Sequence, residues 1–146
     1  HQLNLQRFFH FSHFNKMQTE CLDTILKTPE NMLVSAPTGS GKTVIFELAM
    51  IQEMKALSPH DQVPLIIYIC PNKALSQEKV FYWKEKFEKV WADFQVQECT
   101  GDVNFDGFFK RKMPTSGLLI GTPEKVNYIF RNWKSLRKLI NNLKLF

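Results

Sequence analysis

The stretch Ala36-Pro37-Thr38-Gly39-Ser40-Gly41-Lys42-Thr43 combines glycines, a lysine and a hydroxyl at a spacing suited to holding a phosphate. Gly39 and Gly41 allow backbone turns that a Cβ would oppose, so neighbouring N–H groups can converge on one anion. Lys42 can carry its ammonium to the terminal phosphates of a nucleotide, and the Thr43 hydroxyl can ligate Mg²⁺. The apolar run before the loop, Leu33-Val34-Ser35, reads as a strand. The amphipathic segment after it reads as a helix whose positive end faces the same point. Strand, glycine loop and helix in this order make a P-loop. The strict pattern has Gly where this chain has Ala36, which a backbone of negative φ accommodates.

The elements that must position this loop follow from periodicity. Apolar residues at 17, 21, 22, 25 and 26 give a helical face, capped by Asn15 or Thr19, with Gln18 on its first turn. Residues 42–57 read as a helix. Residues 63–70 are nearly continuous Val, Leu, Ile and Tyr, the composition of a strand buried on both faces. Val80, Trp83, Phe87 and Val90 predict a helix over residues 74–91. Residues 94–99 and 117–120 read as strands. Pro123 and Glu124 suit the first turn of a helix running to about Trp133, and Leu143-Lys144-Leu145-Phe146 begins a further strand.

This alternation predicts an α/β fold with an open, mostly parallel sheet and helices on both faces. Ligands of such sheets bind beyond the carboxyl ends of the strands. The P-loop, Pro71-Asn72-Lys73, Thr100-Gly101-Asp102 and Thr122-Pro123-Glu124 all follow expected strand ends, so one sheet edge gathers them.

At 146 residues, 44% hydrophobic and 23% charged, the chain has the size and composition of one globular domain. Its formal charge of +5 tilts towards an anionic partner or a solvated basic surface. Cys21, Cys70 and Cys99 are widely spaced and odd in number, which fits reduced core thiols of an intracellular protein rather than a disulfide framework. His10 and His13 have no further ligand at metal spacing and read as packed or solvent-facing. Phe8, Phe9, Phe11 and Phe14 lack interleaved basic residues, which favours an arm that packs over a base-stacking surface. Lys110-Arg111-Lys112 beside Phe108-Phe109 reads as a solvated basic loop or a phosphate patch. No apolar run is long enough to span a bilayer, and the first residues are unlike a signal peptide. The guanine-reading Asn-Lys-x-Asp of a GTPase is missing, and a small-molecule kinase would not explain Thr122-Pro123-Glu124 at a strand end.

Taken in order, these loops resemble the first RecA-like domain of a superfamily 2 helicase, over residues 14–133. Phe14-Asn15 with Gln18 looks like the Q-motif, which implies that Phe14 and Gln18 meet the adenine. Residues Ala36 to Thr43 are like the helicase form of motif I, in which Ala at the first place is usual. Pro71 and Lys73 fall in a stretch similar to motif Ia, Thr100-Gly101-Asp102 is like the short motif after it, and Thr122-Pro123-Glu124-Lys125 is like motif Ib. In that family these three contact the sugar-phosphate backbone of one strand.

The wording Pro-x-Lys-Ala-Leu and Thr-Pro-Glu-Lys resembles the Ski-like branch, and Leu33 to Glu47 looks most like the Mer-type DNA helicases of meiotic crossover formation. Departures are Val126-Asn127 where Trp-Asp is usual, and Asn72 and Ser76 within motif Ia.

The resemblance implies a nuclear, ATP- and Mg²⁺-dependent 3′–5′ DNA helicase acting on single-stranded or branched nucleic acid, with no membrane partner. A Ski-like RNA helicase and a non-catalytic interaction module are the alternatives. Residues 1–13 are expected to form an aromatic arm. Residues 14–146 are expected to form the ATP-binding domain, truncated before the acidic Walker B motif and without its second RecA-like domain. The chain alone is therefore expected to bind nucleotide weakly and not to turn it over.

Overall fold

Asn15 starts the first helix, α1 (Lys16–Lys27), through a reciprocal cap. Its Oδ1 accepts from Gln18 N at 2.9 Å, and Gln18 Oε1 accepts from Asn15 N at 3.0 Å. Two helix-end donors are satisfied at once, which fixes where the helix begins. The computed structural model describes residues 5–58, 60–99, 116–132, 134 and 136–145. Ahead of α1 lies a short 3₁₀ turn, Leu5–Arg7, followed by buried Phe8 and Phe9. The rings of Phe9, Phe11 and Phe14 lie 5.1–5.9 Å apart, two of the three contacts edge-on. These are the offsets that aromatic quadrupoles favour, so the three rings pack on one another.

The second helix, α2 (Lys42–Lys55), opens at Gly41 and packs against α1, with Ile45, Leu48, Met50 and Ile51 buried. Between the two helices no strand forms, and Leu33 is 96% exposed. The strand expected at Leu33-Val34-Ser35 is thus absent among the described residues. A parallel strand takes its hydrogen bonds from its neighbours, and a run of three residues cannot supply them alone. These parts make one compact unit, His1–Ala56.

Leu57–Phe146 is the second unit. Its sheet contains β1 (Leu65–Ile69), β2 (Val96–Glu98), β3 (Gly117–Gly121) and β4 (Leu143–Leu145). All pairings are parallel, in the order β2-β3-β1-β4, with Leu65 opposite Gly117, Ile69 opposite Gly121 and Val96 opposite Leu118. The helices are α3 (Lys73–Trp83), α4 (Pro123–Arg131) and α5 (Arg137–Asn141).

Alternation along the strands divides the core in two. Leu65, Ile67, Leu119 and Cys99 pack with Val126 and Ile129 of α4 and with Leu136 and Leu139. Tyr68 points the other way and meets Trp83 of α3 edge-on at 4.7 Å. Helices therefore cover both faces of this parallel sheet, which explains why β1 and β3 are apolar throughout. Each buried Leu or Ile contributes about 1.5–3 kcal/mol relative to exposure.

The helix expected over residues 74–91 ends sooner as an α-helix. It passes at Lys84–Glu88 into a π turn, within which Phe87 stacks on Trp91 at 5.3 Å with their planes 4° apart. Tertiary packing of aromatics, which local spacing does not encode, sets that ending. No helix among the described residues is long and apolar enough to cross a membrane.

Candidate functional site

Within the first unit the glycine loop is tied from several directions. Gly39 and Gly41 have φ of +79° and +85°, the left-handed region that glycine enters without a steric penalty. Ser40 N donates to Pro37 O at 3.3 Å, closing the loop. Lys42 Nζ reaches back across it to Ala36 O at 2.6 Å and Pro37 O at 2.7 Å. An ammonium has three donors, so one N–H remains for an anion.

Two side chains from the start of α1 hold the other end. Asn15 Nδ2 donates to Ser40 O at 2.9 Å, and Gln18 Nε2 donates to Gly41 O at 3.3 Å. Gln18 is 5% exposed, and a Cβ on Gly41 would overlap its Nε2. The orientation of both amides follows from chemistry, with their oxygens on N–H groups and their nitrogens on carbonyls.

The carbonyls of Ala36, Pro37, Ser40 and Gly41 are therefore occupied by donors, and the loop meets the N-terminus of a 14-residue helix. That end offers first-turn N–H groups and the positive pole of the helix dipole. The Ser40 hydroxyl is buried with no hydrogen-bond partner. Positive-φ glycines, an orphaned hydroxyl, a partly committed ammonium and a helix N-terminus together fit a polyphosphate. Thr43 follows at a half-buried position suited to a metal-ligating hydroxyl.

The second unit brings other expected residues together. Because β1 and β3 are parallel and in register, Pro71 to Lys73 and Thr122 to Lys125 leave the same carboxyl edge of the sheet. Cys70 N donating to Gly121 O at 2.8 Å fixes the two chain exits side by side. Asn72 caps α3, accepting from Leu75 N at 2.9 Å, and puts Lys73 on the first turn. Pro123 fills the first turn of α4. The Thr122 hydroxyl, and then the backbone N–H of Glu124, hold the Glu124 carboxyl below the usual carboxylate range.

Beneath these exits lie two thiols. Burial raises Cys99 to about 11 against the opposing charge of Lys125, and burial likewise raises Cys70 against Lys79. Cys21 is half-buried, and none of the three is in a disulfide. Thr100, Gly101, Asp102, the Lys110-Arg111-Lys112 run and Trp133 lie outside the described residues.

The structure thus gathers Asn15, Gln18 and Ala36 to Thr43 in one unit, and Pro71 to Lys73 with Thr122 to Lys125 in the other. Asn15's bond to the loop is unannounced, because in sequence it reads as a helix cap and as part of the Q-motif-like stretch, neither of which points to Ser40. Its partner Ser40 is 25 residues away, and nothing local marks the pairing.

Residues 15–146 match the family described as DEAD/DEAH box helicase. The chain is 36% identical over 137 residues to the ATP-dependent DNA helicase MER3 of Saccharomyces cerevisiae, covering 94% of this chain and 11% of that protein. It is 37% identical to the probable ATP-dependent DNA helicase HFM1 of Mus musculus, with 95% and 9% covered. The DExH-box ATP-dependent RNA helicase DExH13 of Arabidopsis thaliana is 35% identical, with 93% and 6% covered. The chain spans about a tenth or less of the length of these relatives. A parallel α/β sheet, a glycine loop tied at the head of a helix and a family match over nearly the whole sequence agree, and the chain belongs to the DEAD/DEAH box helicases.

Proposed function

We propose that this chain is the ATP-binding portion of a nuclear helicase that acts on single-stranded or branched DNA during meiotic recombination. The observation that carries the reading is the loop at Ala36 to Thr43, tied by Asn15, Gln18 and Lys42 at the N-terminus of α2. In this reading Lys42 and the loop amides bind the triphosphate, Thr43 ligates Mg²⁺, and Phe14 and Gln18 lie by the adenine. Thr43 would hold the metal, which would supply positive charge to offset that of the phosphates.

Pro71, Lys73, Thr100 to Asp102 and Thr122 to Lys125 contact the sugar-phosphate backbone of one strand, reading no sequence. Residues 14–146 belong to a first RecA-like domain behind an arm of residues 1–13. A second RecA-like domain and an acidic Walker B motif, both parts of the longer protein, complete the catalytic site. Similarity to MER3 and HFM1 supports DNA as the substrate. An RNA strand is the second reading, favoured by similar identity to a protein named as an RNA helicase.

Calorimetric titration of the full chain with MgATP tests the nucleotide site. Lys42→Ala is expected to weaken binding at least tenfold, and equal affinities for the two proteins would overturn the assignment. Matched single-stranded DNA and RNA oligomers then separate the two substrate readings. Lys73→Ala is expected to reduce the salt dependence of binding to the true one.

A further inference from the structure

Leu75, Lys79, Tyr82 and Lys86 follow one another at steps of four, three and four residues, so they line one flank of α3 and of the turn after it. Leu75 and Tyr82 are 37% and 47% exposed, and Phe81 beside them is 74% exposed. The aromatics on the inner side, Trp83 and Phe87, are fully buried. Packing on the sheet therefore does not account for Phe81 and Tyr82. Just beyond them the α-helix gives way to the π turn, a device that frequently accompanies functional surfaces.

The two lysines of this flank are held on rings. Lys79 Nζ lies 5.9 Å from the centre of Tyr82 and 5.6 Å from that of Trp83. Lys86 Nζ lies 5.3 Å from Tyr82 and 5.6 Å from Phe87, and donates to Tyr82 Oη at 3.3 Å. Both side chains are half-buried. A surface ion pair is normally weakened by the entropy of ordering a long side chain, and here part of that ordering has already occurred. Two nearby carboxylates are committed elsewhere. Glu85 pairs with Lys89, and Glu88 Oε1 accepts from Val96 N at 2.7 Å. Lys79, Lys84 and Lys86 therefore outweigh Glu78 on this flank.

We propose that this flank docks an acidic segment of a partner protein, whose carboxylates meet Lys79 and Lys86 and whose apolar side chains meet Phe81 and Leu75. Charge selects an anion, and the rings favour a peptide over a nucleic-acid strand. Base stacking needs an open aromatic face. Two ammonium groups attend Tyr82, and Trp83 and Phe87 are inside, so of these rings only Phe81 offers one. Exposed aromatic and apolar side chains rimmed by charge are the composition of a protein contact. The flank belongs to the second unit, and the proposal does not depend on the nucleotide reading.

Fluorescence anisotropy on the full chain tests it with labelled probes. These are a synthetic peptide of Glu, Leu and Phe, the same peptide with Lys in place of Glu, and oligothymidylate. The Glu peptide is expected to bind at least about tenfold tighter than the Lys peptide, and less tightly as salt rises. Phe81→Ser, and Lys79→Gln combined with Lys86→Gln, are each expected to weaken its binding about tenfold. Phe81→Ser alters an exposed side chain, so its melting temperature should match that of the unsubstituted chain. No binding of the Glu peptide, equal binding of the two peptides, or unchanged affinity in Phe81→Ser would overturn the proposal. Substitutions that weaken oligothymidylate more than the Glu peptide would assign the flank to nucleic acid and overturn it as well.

Discussion

Gly41 carries two constraints at one atom position. Its φ of +85° penalises any side chain, and a Cβ there would overlap Gln18 Nε2. Left-handed backbone costs an L-residue about 1–2 kcal/mol, and displacement of Gln18 adds the loss of a hydrogen bond. Gly41→Ala is therefore expected to lower stability by at least about 1–2 kcal/mol and to weaken MgATP binding, as read by urea denaturation and calorimetry. Gly39, where an added Cβ meets nothing within 4 Å, is strained only through its backbone, so Gly39→Ala should cost less.

Cys99 gives a pH signature. Burial raises its folded pKa from 9.0 to about 11, so the folded state favours the neutral thiol. The resulting stability is complete below pH 9 and is lost as pH rises through 11. A shift of this size corresponds to roughly 2–3 kcal/mol. Cys99→Val should remove that component of alkaline destabilisation, which paired melting curves at pH 8 and pH 10.5 would reveal. Equal alkaline losses in both proteins would count against it.

Helix starts illustrate how elements aim functional groups. Asn72 holds the first turn of α3 through Leu75 N at 2.9 Å, and this places Lys73 at the sheet's carboxyl edge. Replacing such a cap with alanine typically costs about 1 kcal/mol. Asn72→Ala is expected to lower the urea midpoint accordingly and to weaken nucleic-acid binding while leaving MgATP binding unchanged. A matching loss in MgATP affinity would show that the cap is not local in effect.

The elements themselves were legible wherever the signal was local. Residues 63–70 are apolar without interruption because both faces of β1 are covered, and Asn15, Pro123 and Glu124 announce helix starts by their own chemistry. The pairing of β1 with β3, 52 residues apart in register, follows from the general preference of alternating elements rather than from any residue. Leu33-Val34-Ser35 misled because so short a run, with only two apolar residues, looks alike in a strand and in an exposed segment, and only a neighbour distinguishes them. The turn at Gly39 and Gly41 and the helix that opens at Lys42 were readable from the local residue types. The hold of Asn15 and Gln18 on the loop was not, since their partners Ser40 and Gly41 lie 25 and 23 residues away.

For the molecule as a whole, binding a triphosphate and cleaving it are separable tasks. Cleavage requires a carboxylate on the metal, a group that positions water, and charge stabilisation from across a cleft. The sequence has 14 acidic residues, and no two of them are adjacent, so it contains no Asp-Glu pair for the metal and water. What it does contain are the loop and the helix N-terminus, which on the proposed reading would stabilise bound phosphate whether or not reaction follows. Occupancy should therefore protect the loop without consuming ligand. Limited proteolysis is expected to slow around residues 33–43 on addition of MgATP, because a ligand that binds only the ordered loop suppresses its opening. Phosphate release should stay at background, with or without single-stranded DNA. Turnover stimulated by nucleic acid from this chain alone would refute the separation, and would mean that carboxylates elsewhere in the 146 residues converge on the loop.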